Sequence, residues 1–355
     1  MRALELQDDF GFQYLRLVER PRPEPGPGEI LIRVTAASVN RRDLGVMTGK
    51  ARNASRYRLP LTPLSDAAGV VASLGARTAG WAIGDRVVAR FFPDWLSGAP
   101  APETMNGVMG GGAQGAAQEY IVLPAHAVSR SPSNLADEEA ASLPCAALTA
   151  WRALVVECAM RPGDTVLVQG TGGVSLFALQ FAKAAGARVI ITSSSDEKLR
   201  RAQAMGADLT VNYHTTPDWG AHARRLTGGR GVDHVVEVGG GGTLEQSIEA
   251  VRFGGAIALI GRLSDSPSAL AAPMIFSNNL RLFGVTVGSR AHFEDMARAI
   301  EVSDIHPVIE EIVPLEDAPT ALQRAAAAGV FGKLVIDFRG LAIPRDENRR
   351  LPRSS

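Results

Sequence analysis

Gly170, Gly172 and Gly173, in the stretch QGTGGVS, follow directly on the apolar run TVLVQ at residues 165–169. Val174, Phe177, Ala178, Phe181 and Ala182 recur behind them at helical spacing. The run therefore reads as a strand, the glycines as a tight turn, and the following residues as a helix. Such a unit turns free backbone N–H groups and the positive end of a helix dipole toward an anion, which suits a pyrophosphate. Gly170 permits the turn, Gly172 lets the backbone approach a phosphate, and Thr171 and Val174 complete the loop. Ser175 stands at the third fingerprint position and is small enough for the helix to pack on the strand. The plainer alternative is a glycine-rich turn that binds nothing.

A second cluster lies where the next strand-like run, RVIIT, ends. Sites for NAD commonly place a carboxylate there to hold the adenosine ribose. This chain has Ser193, Ser194 and Ser195, which offer hydroxyl donors and do not repel a 2′-phosphate. Lys198, Arg200 and Arg201 follow and add positive charge, although Asp196 and Glu197 oppose them. The pattern favours NADP(H) over NAD(H). A solvated helix face is the alternative for the cations.

The elements that must hold these residues fall into two kinds. Residues 1 to about 130 are rich in short β-branched runs (EILIRVTAASV, AGVVASL, DRVVARF) separated by turn signals such as PRPEPGPGE. From about 146 to 289, strand-like and helix-like segments alternate, which indicates a doubly wound parallel sheet of the α/β class. The segments HFEDMARAIEV and LEDAPTALQRAAAAG read as amphipathic helices and GKLVIDF as a closing strand. Residues 96–118, rich in Gly, Ala and Pro, read as a loop, either a lid or a surface excursion.

Composition narrows the function. The 355 residues carry 37 basic and 37 acidic side chains, so nothing favours nucleic acid or an anionic membrane as partner. No apolar run reaches the roughly 18 residues of a membrane span, and the acidic start MRALELQDDFGF does not read as a signal peptide. Only Cys145 and Cys158 occur, too few for a disulfide framework. A cytoplasmic enzyme acting on a small molecule is the expectation. The six histidines are scattered; His126 and His234 read as surface or satisfied core residues, and no Ser–His–Asp or Cys–His arrangement is legible.

Taken together, ILIRVTAASVNRRDL, PLSDAAGVV followed by GDRVV, LPCAALTAWRAL, the glycine loop, GVDHVVEVGG, LFGVTVGSR and GKLVIDF resemble the medium-chain dehydrogenase/reductase superfamily of zinc alcohol dehydrogenases and quinone oxidoreductases. The resemblance covers residues 1 to about 338. It implies a GroES-like, β-rich catalytic domain over 1–145, completed by 290–340, and a Rossmann domain over 146–289. The tail 341–355 is expected to be flexible. It also implies a homodimer or homotetramer paired through the Rossmann domain.

The departures from the family pattern concern the metal. Where the family's catalytic zinc has Cys, His and Cys, this chain places Asn40, Ser65 and Cys145, with Asp66 at the neighbouring glutamate position. Residues 1–125 contain neither His nor Cys, so no zinc is expected. Without a Lewis acid, hydride transfer to an activated C=C bond or a quinone is easier than alcohol oxidation, because conjugation spreads the developing charge.

The resemblance then places Asn40 beside the nicotinamide as a donor to a substrate oxygen, or as a turn-stabilising amide. It offers Asp43 and Asp66 as a proton relay or loop buttress, and Tyr57 as a pocket residue; Tyr120 reads as a packing residue. Arg41, Thr149, Gly239, Gly240, Val287, Gly288, Ser289, Arg290 and Lys333 are the remaining cofactor contacts. For Arg41 and Lys333 the alternative is plain surface charge, and for Thr149 a helix-interior threonine. An alcohol or ketone oxidoreductase, or a non-catalytic NADPH-binding protein, stand as the other readings.

Overall fold

The computed structural model describes residues 1–51, 57–261 and 272–340. The tail expected to be flexible and part of the loop before Tyr57 lie outside the described residues. Six parallel strands form one sheet in the order Leu209–Asn212, Arg188–Ser193, Thr165–Gln169, Val232–Glu237, Val251–Leu259, Arg281–Gly284. Thr165–Gln169, the first of these six in the chain, is central, and the winding reverses between it and Val232–Glu237. That reversal opens a crevice at the carboxyl ends of these two strands. Both are buried along their whole length, as strands covered by helices on each face must be.

The helix Gly173–Ala184 buries Leu176, Phe177, Ala178, Leu179, Phe181 and Ala182 against the sheet. Trp151 meets Phe181 edge-on with centroids 5.4 Å apart. Each large side chain so buried contributes roughly 1.5–3 kcal/mol. The helix stops where Gly186 takes φ +78°, the left-handed conformation that ends helices at little cost to glycine.

The second sheet runs Ile309–Pro314, Lys333–Asp337, Glu29–Ser38, Asp66–Leu74, Arg86–Ala89, Val128–Arg130, with Tyr120–Pro124 also paired to Glu29–Ser38. The strand Lys333–Asp337 lies antiparallel to Glu29–Ser38, with Val335 opposite Ser38. On the other side Ser38 faces Asp66, the first residue of its strand. The pairing thus gathers Ser38, Asp66 and Lys333 at one end of the sheet, although Lys333 is hundreds of residues from the other two in sequence.

The two sheets meet along a seam. Gly332 N–H donates to Thr171 O at 3.1 Å, which ties the closing strand to the glycine turn. Arg290 and Ala291 N–H groups donate to Trp95 and Leu96 carbonyls, and Arg152 stacks over the buried Trp95 ring at 5.0 Å. Residues 96–118 form a loop without a strand or helix of their own, as expected. Its end is pinned through Gly115 and Ala116 N–H to Thr62 and Leu64 carbonyls. Tyr120 packs under Arg22 at 4.3 Å, and the buried His234 ring lies 2.9 Å from Asp164, as packing and core residues do. No described helix is long and apolar enough to cross a membrane.

Glu29–Ser38 and Asp66–Leu74 approach so closely that a β-carbon on Gly69 would stand 2.2 Å from Arg33 O. Gly69→Ala is expected to cost about 1–3 kcal/mol through forced backbone movement. Gly284→Ala, where a β-carbon meets open space, serves as the near-neutral control. Urea unfolding of the two variants checks this.

Candidate active site

Asn40 lies two residues beyond the strand Glu29–Ser38 and directly before the helix Arg41–Met47. Its side chain does not cap that helix. Instead Nδ2 donates to Asp66 Oδ2 at 2.8 Å and to Ser65 Oγ at 3.3 Å, while Oδ1 accepts from Lys333 Nζ at 2.6 Å. Ser38 Oγ adds a bond to Asp66 Oδ2 at 3.1 Å. Both N–H donors of the Asn40 amide are taken by Asp66 and Ser65, so the expected donation to a substrate oxygen gives way to an organising role.

Asp43 has a buttress's contacts. Its Oδ2 accepts from Asn40 N–H at 3.0 Å and Ser65 Oγ at 3.4 Å, and its Oδ1 from Arg42 Nη1 at 2.8 Å. Arg42 also reaches Met109 O at 3.2 Å and stacks on Phe91, which fixes the loop 96–118 over the cluster. A β-carbon on Gly111 would lie 2.9 Å from Arg42 Nη2 and 3.3 Å from Tyr57 Cζ, so Tyr57 closes over this loop beside Arg42. Arg41 is exposed at the helix start.

Lys333 is only 2% exposed, which excludes the surface-charge alternative. Its Nζ stands 3.8 Å from Asp66 Oδ2. Asp66 is fully buried, and that burial pushes its carboxyl up to about 6 against the opposing pull of Lys333 and of the Asn40 hydrogen bond. Its Oδ1 has no hydrogen-bond partner among the described residues. Cys145 lies close by, half-buried; burial, helped by the Asp66 charge, holds its thiol well above the ordinary range.

The glycine turn stands against this cluster. Gly170 takes φ +71°, and the helix from Gly173 starts without a side-chain cap, leaving first-turn N–H groups directed at the crevice. A β-carbon on Gly172 would meet nothing within 4 Å, whereas one on Gly173 would stand 2.8 Å from Lys333 Cδ. Thr171 is buried and Val174 half-buried beside them. Ser175 Oγ donates to Gln169 O at 2.7 Å, which joins helix to strand more firmly than the small side chain alone would.

Gly239 and Gly240 end the neighbouring strand, but their N–H groups donate inward to Glu237 Oε1 at 2.8 and 2.9 Å. Glu237, fully buried, also receives Gln169, Thr243 and Ser247 side chains. Sequence reasoning missed this network; its signal was a polar residue closing each of two apolar strands, TVLVQ and VDHVVE. Thr149 is helix-interior and donates to Cys145 O at 2.7 Å. Val287 is held at φ +49°, a strained conformation for a β-branched residue, and Gly288 packs on Leu148. Ser289 Oγ caps the helix Arg290–Val302, and Arg290 is engaged by Glu294 at 2.6 Å.

At the end of the strand Arg188–Ser193, Ser193 Oγ accepts from Ser195 N–H and Ser195 Oγ from Lys198 N–H, each at 3.3 Å. Ser193 is buried and Ser195 half-buried, and neither hydroxyl proton is taken by a partner among the described residues. Ser194 is exposed and Lys198 half-exposed. Asn212 Nδ2 occupies Asp196 at 2.6 Å. Arg201 is taken up by Glu310 at 2.9 Å and by the Phe331 ring, so it is withdrawn from the ribose side. Tyr213, whose N–H bonds Ser193 O, brings a ring to this edge that sequence reasoning did not single out.

Comparison with known proteins agrees with this architecture. A model of the alcohol dehydrogenase GroES-like domain matches residues 26–133, and one of the zinc-binding dehydrogenase domain matches residues 173–302. A zinc-type alcohol dehydrogenase-like protein of Schizosaccharomyces pombe is 43% identical over 333 residues, covering 92% of this chain and 96% of that one. The crystal structure of an NAD-dependent alcohol dehydrogenase superposes with TM-score 0.86 at 38% identity, covering 95% of this chain and all of the other. A quinone oxidoreductase from Coxiella burnetii superposes with TM-score 0.77 at 28% identity, covering 96% and 99%. The chain belongs to the medium-chain dehydrogenase/reductase superfamily. It is an NAD(P)-dependent oxidoreductase with a GroES-like and a Rossmann part.

The Asp66 carboxyl generates a pH prediction. Its folded pKa lies above its unfolded value, so its contribution to stability is complete below about pH 4 and is lost as pH rises through 6. Wild-type stability relative to Asp66→Asn is expected to fall by up to about 1.4 kcal/mol per pH unit across that window. Urea unfolding of both proteins between pH 4 and 7 checks it; a flat difference would return Asp66 to an ordinary carboxylate.

Proposed function

We propose that this oxidoreductase uses NADPH to reduce an activated C=C bond or a quinone, without a catalytic zinc. The observation that carries the reading is the donor set at the positions where the family's zinc ligands stand. Asn40 has both edges of its amide engaged, Ser65 offers a neutral hydroxyl, and Cys145 is the one thiol among the three. An ammonium sits among them, 2.6 Å from the amide. Catalytic zinc takes three protein donors drawn from thiolate, imidazole and carboxylate and keeps an open position, and a resident cation opposes it. These residues do not fit the ion.

Bound nicotinamide supplies the hydride. The chain's own residues do the rest: the glycine turn and the Gly172–Gly173 helix start take the pyrophosphate, and Ser193 and Ser195 turn hydroxyl protons to a 2′-phosphate. Lys198 adds charge there. Thr149, the strained Val287 and Gly288 border the inner end of the crevice. Asp66, with a pKa near 6, can hold a proton at neutral pH in part of the population and pass it on as charge develops on the substrate oxygen. The alcohol dehydrogenase names among the relatives support a second reading, oxidation of an alcohol or reduction of a ketone. Asp66 would then be the base. A cytoplasmic homodimer or homotetramer, paired through the open edge strand Arg281–Gly284, completes the proposal.

NADPH consumption is expected with a quinone and with an enone, and is expected to persist after dialysis against a chelator. Turnover of alcohols alone, or stoichiometric zinc whose removal abolishes activity, would defeat the proposal. For the cofactor, Ser193→Asp is expected to move the NADPH/NADH ratio of kcat/KM toward NADH by about tenfold or more, since a carboxylate beside a phosphate is strongly repelled. An unchanged ratio would remove Ser193 from phosphate recognition.

A further inference from the structure

Two carboxylates, Asp43 and Asp66, are fully buried in the cluster, and each has one cation at hand. Arg42 pairs with Asp43 at 2.8 Å and Lys333 faces Asp66 at 3.8 Å. The Lys333 ammonium carries three N–H donors, yet among the described residues it makes one hydrogen bond, to Asn40 Oδ1. Its position is imposed from both ends. Its backbone N–H donates to Val308 O, in the parallel pairing of the last two strands, and its Cδ occupies the space left by the missing β-carbon of Gly173. Ala146 lines the same slot, since a β-carbon on Gly173 would also lie 3.3 Å from Ala146 Cβ.

We propose that Lys333 is the positioning cation of the hydride-transfer site, holding Asn40 and Asp66 in place and offsetting the Asp66 charge as a divalent ion would for its ligands. Lys333 acts through Asn40, whose amide is oriented by the 2.6 Å bond, and through Asp66, which keeps Oδ1 free for a proton. Gly173 then serves two purposes: its N–H belongs to the phosphate turn, and its bare Cα admits the lysine stem. The assignment differs from a lysine that only contacts the cofactor phosphates, and the difference is measurable. It rests on the reading of this cleft as an oxidoreductase site.

The test compares Lys333→Met with Lys333→Met/Asp66→Asn. Lys333→Met is expected to lower kcat at saturating cofactor roughly 100-fold, with the NADPH Kd from fluorescence titration changed by no more than about threefold. In the cofactor-free protein, adding Asp66→Asn to Lys333→Met is expected to raise the melting temperature, because it removes a carboxylate left buried without its cation. If Lys333→Met alone does not fold, recovery of folded protein on adding Asp66→Asn supports the proposal and no recovery overturns it. A Kd weakened tenfold with kcat intact, or melting-temperature losses that simply add, would also overturn it. Should the wild type turn over alcohols only, the proposed substrate class fails. The same kcat and Kd comparison is then made with an alcohol, and the stability comparison needs no substrate.

Discussion

A buried ammonium bonded to a carboxamide, Lys333 Nζ to Asn40 Oδ1 at 2.6 Å, is the contact on which the site depends. Charge removed from water must be matched, and the match is Asp66 on one side and the amide dipole of Asn40 on the other. Satisfying Lys333 uses the Asn40 carbonyl, which turns the Asn40 N–H pair onto Asp66 and Ser65. Asp43 then holds the Asn40 backbone, and Arg42 holds Asp43 and the overlying loop. Each group is placed by the one before it, so the cluster behaves as a unit.

The same lysine ties this cluster to the cofactor crevice. Lys333 follows Gly332, whose N–H bonds the glycine turn at Thr171, and its stem lies in the slot of Gly173. The glycine turn and a polar cluster built on two different sheets are therefore held in register by Gly332 and Lys333 at the start of the last strand. On the far side of the turn, the buried Glu237 is held by neutral donors. Its charge is spread over the N–H groups of Gly239 and Gly240, the Gln169 amide and two hydroxyls, which sets the shape of the neighbouring strand end.

Much of the fold was legible in the sequence because its signals are local. Apolar runs such as TVLVQ and RVIIT, helical spacing behind the glycines, and turn residues between them report on neighbours within a few positions. The glycine turn, the serines of the second strand and the loss of metal-binding side chains at positions 40 and 65 are likewise read residue by residue. Other readings needed revision. Asn40 looked like a donor to substrate, but its donors are spent on Asp66 and Ser65; Arg201 looked available to a phosphate, but Glu310 holds it. In both cases the competing partner lies on a distant segment.

The amino-acid sequence by itself determined the two kinds of element, the order in which they occur, and which side chains are present to do chemistry. These follow from periodicity and residue type, which act over a turn of helix or the length of a strand. Only the tertiary structure decided that residues 38, 66 and 333 share one end of a sheet, that Lys333 is buried instead of exposed, and that burial raises the Asp66 carboxyl above its ordinary value. The physical reason is that solvation and partnership belong to the packed environment. Strand pairing between the two ends of the chain creates that environment, and no local pattern encodes it.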